Sequence, residues 1–149
     1  MKTWNRALGA LVAFFAFAVA SQPALAADHP YTEGQVMAVS AVRTEPGMYE
    51  TYMKYLATTY KQMMEENKKA GNIISYAIYS TVPRGPNDPN LYLVVTYKNM
   101  AALDGLSDRM EVVQEKLLGD QATRDKLAVE RTKMRTQLGT ELMREVILK

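Results

Sequence analysis

Residues 35–97 read QVMAVSAVRTEPGMYETYMKYLATTYKQMMEENKKAGNIISYAIYSTVPRGPNDPNLYLVVTY, and this stretch decides the fold. It contains three short runs rich in β-branched and aromatic residues and one long run with helical periodicity. Turn-forming residues separate these runs, because Glu45-Pro46-Gly47 precedes the helix and a proline-rich segment, 83–89, divides the last two strands. The predicted strands are Gln35–Arg43, Ile73–Val82 and Leu91–Tyr97.

The helical run extends from Met48 to Ala70. Its apolar residues recur at intervals of three and four, which gives one continuous apolar stripe. Gly47 is predicted to be the N-cap, and Gly71 is predicted to end the helix because glycine suits the left-handed backbone after a helix. The stripe consists of Tyr49, Met53, Leu56, Tyr60 and Met63.

The rest of the chain predicts two more helical regions and a last strand. Asn99 suits the N-cap of a helix over Met100–Leu118, with an interruption near Gly105. A highly charged helix is predicted for Asp120–Leu138 and a fourth strand for Glu141–Leu148. The order β-α-β-β-α-α-β predicts an α+β fold of the ferredoxin-like, split βαβ type, with a four-stranded antiparallel sheet and helices on one face.

The first 26 residues have the pattern of a signal peptide. Lys2 and Arg6 precede an apolar run over residues 7–20, and Ala24-Leu25-Ala26 fits the small-residue cleavage rule. We expect cleavage after Ala26 and an exported chain, periplasmic or secreted, that is not held in a membrane after cleavage. Residues 27–34 are predicted to be a flexible lead-in to a single domain over residues 35–149.

Composition excludes several kinds of protein. Without Lys2 and Arg6, the 18 basic residues become 16, which equal the 16 acidic residues, so no basic excess points to nucleic acid. The chain has no cysteine, and its single histidine is His29, so a thiol nucleophile, a Ser-His-Asp set within the domain and a haem site with an axial histidine are not predicted. We therefore predict no cofactor.

The strand patterns predict a partner. A sheet with one solvated face should alternate apolar and polar residues, but here both faces of the strands are apolar. The chain has no further domain to cover the second face, so a second copy of the same chain is the simplest cover. The homodimer interface is predicted to contain Val39, Ala77, Tyr92 and Val94.

The chain resembles the dimeric α/β-barrel superfamily, which includes antibiotic-biosynthesis-monooxygenase-like and stress-response barrel proteins. The matching residues are Pro46-Gly47, Lys69-Ala70-Gly71 and Tyr97-Lys98-Asn99, and the resemblance covers about Gln35–Leu118. It implies a dimeric α/β barrel. It also admits cofactor-independent oxygenases, isomerases, haem-handling enzymes and proteins without known activity.

After residue 26, the aromatic rings of the chain are its nine tyrosines and the imidazole of His29. Tyr52 and Tyr60 from the first helix, and Tyr76 and Tyr97 from the sheet, are predicted to line a pocket for a small apolar or aromatic ligand. Ordinary packing of these rings in the core is the alternative. Three functions stay open: binding without turnover, a cofactor-independent oxygenase or isomerase acting on a phenolic or quinone-like substrate, and a structural or interaction module.

No catalytic residue is assigned by the sequence, but two other kinds of contact are predicted. Three arginines are candidate anion contacts. Cleavage after Ala26 would expose Ala27-Asp28-His29, which resembles the amino-terminal motif that surrounds Cu(II) or Ni(II) with four nitrogens. Adventitious binding of these metals is the expectation there. The arginines are Arg43, Arg84 and Arg144.

Overall fold

The structure is a computed structural model, and it describes residues 28–149. The predicted signal peptide and Ala27 lie outside the described residues. Four strands and four α-helices follow one another, with a π-helical turn, Leu56–Tyr60, and a short 3-10 turn, Met100–Leu103, between them. The elements are β1 (Tyr31–Thr44), α1 (Tyr49–Tyr55), α2 (Lys61–Lys69), β2 (Ser75–Ser80), β3 (Leu91–Tyr97), α3 (Leu106–Leu118), α4 (Gln121–Thr132) and β4 (Arg135–Leu148).

The strands form one antiparallel sheet in the order β2-β3-β1-β4. In the centre, Val39 lies opposite Val94 on β3 and opposite Glu141 on β4, while Ala77 of β2 lies opposite Val94. This order, with helical crossovers between β1 and β2 and between β3 and β4, is the ferredoxin-like arrangement. The predicted α+β fold is confirmed.

The core lies between the helices and one face of the sheet. Residues of β1 and β3 alternate between this face and the opposite one, and the inward set packs against Leu56, Tyr60 and Met63 of the predicted helical stripe. Tyr49 of that stripe is 37% exposed instead, and Tyr52 and Met64 are buried. Helix α3 adds Leu106, and the turn before it adds Ala102 and Leu103. The buried residues of this cluster are Val36, Val42, Tyr52, Leu56, Tyr60, Met64, Ile73, Leu91, Leu93 and Tyr97.

The opposite face of the sheet is apolar, as the strand patterns predict. Val39, Val94 and Ala77 lie next to one another across three strands. Tyr79 of β2 is 58% exposed. The described part of α4 does not cover this face, because its last turn packs beside Tyr55 on the helical side. The described chain therefore leaves the face open to a partner.

The charged stretch at the C-terminal end differs from the prediction. Helix α4 ends at Thr132, whereas the sequence pattern predicts a helix as far as Leu138. Strand β4 begins at Arg135, six residues before the predicted Glu141, because Arg135–Gln137 pairs with Val42–Thr44 of β1. Gly139 does not end a helix but lies inside β4 opposite Ala41, beside a register irregularity.

Strand β1 is also longer than predicted. It begins at Tyr31, so residues 31–34 belong to the sheet instead of the lead-in, and they pair with the end of β4. Strand β2 is shorter than predicted, at Ser75–Ser80, while β3 has the predicted bounds. Hydrogen bonds to β4 hold these residues in the sheet, and such long-range pairing cannot be predicted from the local sequence of residues 31–34.

The predicted breaks between elements are confirmed. Gly47, Gly71 and Gly105 all have positive φ angles, of 75°, 73° and 62°. Asn99 caps the turn before α3, since its side chain accepts a hydrogen bond from the Ala102 amide. The N-cap of α1 is Met48 and not Gly47, so Gly47 supplies the left-handed turn one residue earlier.

The longest described helix, α3, has 13 residues. Within residues 28–149, no helix combines the length and the apolar character needed to cross a bilayer.

Candidate functional site

The four predicted ligand-binding tyrosines come together between the first helix and the sheet. Tyr52 and Tyr97 are buried, Tyr60 is 8% exposed, and Tyr76 is partly buried against the same core. The rings of Tyr60 and Tyr76 meet edge to face with centroids 6.1 Å apart. The cluster fills the space between the layers, so in this state the rings pack against one another instead of surrounding an open pocket.

Tyr60 is the unusual member of this cluster. Its hydroxyl oxygen is fully buried, and among residues 28–149 it has no hydrogen-bond partner. Such a group costs about 1–3 kcal/mol in lost hydration, and nearly all buried polar groups are paired in native proteins. The Tyr60 hydroxyl is therefore free to hydrogen-bond to a ligand or to a water molecule.

Tyr60 also ends a π-helical turn. Residues Leu56–Tyr60 separate α1 from α2, and the wider turn rotates α2 relative to α1. The Thr58 hydroxyl donates to the Lys54 carbonyl oxygen at 2.8 Å, which satisfies a backbone acceptor near the start of the turn. Single π turns inside helices are frequently found at functional sites. The sequence pattern did not reveal this turn, because its apolar spacing is that of an ordinary helix.

The other tyrosines of the cluster have different surroundings. The Tyr76 hydroxyl donates to Glu65 Oε1 at 2.8 Å, so its polar end is satisfied by α2. Tyr52 stacks on Tyr55, with centroids 5.8 Å apart and planes inclined by 14°. The stacked pair puts two flat rings beside the end of α4.

Burial controls the acidity of these phenols. It raises the pKa of Tyr60, with a further increase from the nearby Tyr52 and Tyr97. Burial likewise raises the pKa of Tyr97, and it raises that of Tyr52 against the opposing effect of Arg135. All three are neutral hydrogen-bond donors at neutral pH.

Two arginines lie against the stacked rings, and sequence reasoning did not find them. The Arg135 guanidinium carbon is 5.7 Å from the Tyr52 ring centroid, and that of Arg131 is 5.9 Å from the Tyr55 centroid. Arg131 also donates to the Tyr55 hydroxyl at 3.1 Å. Arg131 belongs to α4, whereas Arg135 begins β4.

Two cavities border α4. One, of about 400 Å³, is lined by α4 and the start of β4, including Arg131, Arg135 and Gln137. The other, of about 500 Å³, lies between α4, α3 and Met63 of α2, and it shares Ala128 and Arg131 with the first. No residue of α4 is buried, and the helix contacts the tyrosines through Arg131, which lies against Tyr55. The arginine pair, the stacked rings and Tyr60 form the candidate site.

A larger cavity, of about 560 Å³, lies between the β1–α1 turn and the proline-rich loop. Its polar groups are already paired, because Arg43 donates to Asn87 Oδ1 at 2.9 Å and Asn90 donates to Thr44 Oγ1 at 2.6 Å. Asp88 accepts from the amides of the loop itself. The proline-rich loop is therefore hydrogen-bonded to β1 and acts as a spacer between β2 and β3.

The arginines that the sequence analysis named as anion contacts are elsewhere. Arg43 is tied to the proline-rich loop, and Arg144 pairs with Glu33 on β1. Arg84 is exposed in the loop itself. None of the three lies at the tyrosine cluster.

The predicted metal-binding terminus is only partly described. Ala27 lies outside the described residues, and the Asp28 carboxylate accepts from Lys149 Nζ at 2.9 Å. The His29 ring stacks on Tyr31, with centroids 5.5 Å apart. Within residues 28–149, no three histidine, aspartate or glutamate side chains cluster as metal ligands.

The fold and this site define an α+β protein of the ferredoxin-like class, with helices on one sheet face and an apolar second face. No protein-family model matches the sequence, and no match is found among curated proteins. Solved structures do match. HapK from Hahella chejuensis superposes with a TM-score of 0.51 at 8% sequence identity, over 74% of this chain and 91% of HapK.

Two further structures come from uncultured marine organisms, and each is described as a dimeric ferredoxin-like protein. They match with TM-scores of 0.46 and 0.48, at 12% and 10% identity. Each match covers 79% of this chain, and 90% and 98% of the respective structures. The chain is thus similar to HapK in fold, at a sequence identity too low to transfer a function.

Proposed function

We propose that the exported chain is a homodimer that binds a small aromatic or apolar molecule between its sheet and its helices, without turnover. The observation that carries this proposal is the buried, unpartnered hydroxyl of Tyr60 at the end of a π-helical turn. A ligand with a carbonyl or phenolic oxygen would accept the hydrogen bond that no described residue accepts. The neighbouring rings would supply the apolar contact area.

Entry to this site requires a small rearrangement, and α4 is the element suited to it. The helix has no fully buried residue and has cavities on both sides, whereas α1 and α2 bury Tyr52 and Met64. Elements with few buried contacts open at the lowest free energy. Displacement of α4 would expose the stacked Tyr52 and Tyr55 rings first.

The raised pKa values favour binding over catalysis. A cofactor-independent oxygenase or isomerase working through tyrosine would need a phenolate to remove a proton near neutral pH. Burial moves the pKa values of Tyr60, Tyr52 and Tyr97 in the opposite direction. Neutral phenols position a ligand by donating hydrogen bonds to it.

The homodimer is supported by the open apolar face of the sheet. Val39, Val94 and Ala77 form a contiguous strip there, and large apolar faces of this kind are typical of permanent interfaces.

A Val94→Glu variant would place a carboxylate in the centre of the strip. Sedimentation should give a dimer for the wild type and a monomer for this variant, with Thr81→Glu, at the exposed end beyond β2, as the matched control that stays dimeric. A monomeric wild type at micromolar concentration would overturn this part of the proposal.

Ligand binding is tested with protein purified from its own host. Native mass spectrometry should show a small-molecule adduct of defined mass on the wild type. Tyr60→Phe should lose most of the adduct, because the hydroxyl that holds it is gone. Tyr76→Phe, which removes a hydroxyl already paired with Glu65, should keep it. No adduct on any of the three would favour a structural or interaction module.

A further inference from the structure

We propose that the ligand is an aromatic carboxylate and that Arg131 and Arg135 bind its carboxyl group. This inference rests on the proposed binding function and specifies the chemistry of the same site. It follows from the donors that these two side chains leave unused, from the cavity beside them and from the rings against which they lie.

The Arg135 side chain has a buried N–H donor that no described residue accepts. Its Nε is buried and, among residues 28–149, has no hydrogen-bond partner. One terminal nitrogen donates to Gln137 Oε1 at 3.1 Å. The backbone of Arg135 is paired with Thr44 in the sheet, so the guanidinium is presented from a rigid strand. Nε together with a terminal nitrogen is the geometry that receives a carboxylate through two parallel hydrogen bonds.

Arg131 faces the same cavity from the last turn of α4. It donates to the Tyr55 hydroxyl, and a guanidinium has five N–H donors in all. Together with Arg135 it concentrates two positive charges at the wall of a cavity of about 400 Å³, which is within the usual size range of small-molecule sites.

No described carboxylate neutralises this pair. Neither guanidinium has an acidic oxygen of residues 28–149 within 4.0 Å. Glu130 pairs with Lys133 instead, at 2.6 Å. Glu45 accepts a hydrogen bond from Thr136, which lines the same cavity, but it forms no ion pair with either arginine. Two unneutralised cations at a partly buried cavity favour an anionic ligand.

The rings next to the arginines specify the rest of the ligand. Tyr52 and Tyr55 are nearly parallel, and the two guanidinium groups pack against their rings. Tyr52 is buried behind them, and displacement of α4 would uncover the pair. A molecule with a carboxylate at one end and a ring at the other would pair the first with the arginines and stack the second on the tyrosines. A polar atom further along the ring would reach towards Tyr60.

The test uses benzoate and its neutral analogue benzamide as probes on the mature homodimer. Two-dimensional NMR of the arginine Nε–H groups should show the Arg135 signal shifting in a saturable manner with benzoate. Benzoate should bind at least about tenfold more tightly than benzamide at low salt, which corresponds to about 1.4 kcal/mol. In the double variant Arg131→Gln/Arg135→Gln, the two affinities should become equal. Arg84→Gln, which removes an exposed arginine of the proline-rich loop, should preserve the preference.

The outcomes separate this inference from the proposed function. Equal binding of benzoate and benzamide to the wild type would overturn the carboxylate site while leaving aromatic binding intact. A benzoate preference that survives the double variant Arg131→Gln/Arg135→Gln would place the anion elsewhere and would also overturn it. The absence of binding by either probe at millimolar concentration counts against the carboxylate site, whereas the adduct on natively purified protein decides the proposed function independently.

Discussion

Two buried polar clusters include residues of the continuous helical run over residues 49–69, and they differ in how completely their hydrogen bonds are made. At the end of α2, Asn72 donates to Asn67 Oδ1 at 3.0 Å and accepts from Arg109 Nε at 3.3 Å. Asn67 in turn donates to the Met63 carbonyl at 2.9 Å. At the other cluster, Tyr60 and Arg135 each keep a buried polar atom without a partner among the described residues.

The difference separates a structural cluster from a candidate site. In the first, Arg109 uses its remaining nitrogens on the carbonyl oxygens of Asp104 and Ala102, both at 2.6 Å, so it fixes the turn before α3. Complete networks of this kind make the local structure rigid. In the second cluster, the unpaired buried donors lower the free energy of unfolding. A ligand that accepted their hydrogen bonds would remove this cost.

The largest expected effect comes from breaking the complete network. Asn67→Ala would remove the closer of the two acceptors of the buried Asn72 amide and open a small cavity, so we expect a loss of about 2–4 kcal/mol in the free energy of unfolding. Urea denaturation measures it. The control Gln62→Ala, at an exposed position of α2, should change the stability by less than about 0.5 kcal/mol. A similar small change in Asn67→Ala would show that the network carries little stability.

A smaller effect is expected from the turn into α1, which touches neither cluster. Gly47 has a φ of 75°, a conformation in which a β-branched residue is strained. Gly47→Val should lower the free energy of unfolding by about 1–3 kcal/mol. The space around Gly47 is open, so this loss would come from backbone strain alone. An unchanged melting temperature would contradict it, and ligand binding should be unaffected in the folded variant.

The tyrosine cluster should also respond to alkaline pH. Because the pKa of Tyr60 is raised in the folded state, its contribution is complete below the unfolded pKa of about 10 and is lost as pH rises above that value. Stability should fall from about pH 10 upward. Tyr60→Phe should reduce the slope by up to about 1.4 kcal/mol per pH unit. Equal slopes for the two proteins would mean that Tyr60 ionises as freely in the folded state as in the unfolded one.

The predicted metal site at the mature N-terminus should have the smallest effect on either cluster. Copper titration of natively processed protein should give a one-to-one adduct in visible absorption and mass, through Ala27, Asp28 and His29. His29→Ala should abolish the adduct without changing the melting temperature of the metal-free protein. An adduct that survives this substitution would rule out the four-nitrogen site.

Much of the fold could be predicted because its signals are local. The positive-φ glycines and the Asn99 cap each act within a few residues, and the structure has them where expected. The predicted helical stripe is buried at Leu56 and Tyr60 but not at Tyr49, which is exposed. The end of the charged helix could not be predicted. Residues 133–138 continue a helical pattern, but pairing of Arg135–Gln137 with β1 is a long-range interaction that overrides it.

Only the tyrosines of the candidate site could be predicted from the sequence. The tyrosines were found because they belong to the apolar stripe and the strands. The π-helical turn was not found, because its residues keep an ordinary helical spacing. Arg131 and Arg135 were missed because their convergence depends on the change from α4 to β4 between them.

The most direct test of the central claim is the free energy of unfolding of ligand-free Tyr60→Phe compared with Tyr76→Phe. If the Tyr60 hydroxyl is buried and unpaired, its removal should leave the stability unchanged or raise it by about 1–2 kcal/mol. Tyr76→Phe, which loses the hydrogen bond to Glu65, should be destabilised by about 0.5–1.5 kcal/mol. A loss of more than about 1 kcal/mol in Tyr60→Phe would contradict the account, because it would mean that the hydroxyl already has a stabilising partner within the protein.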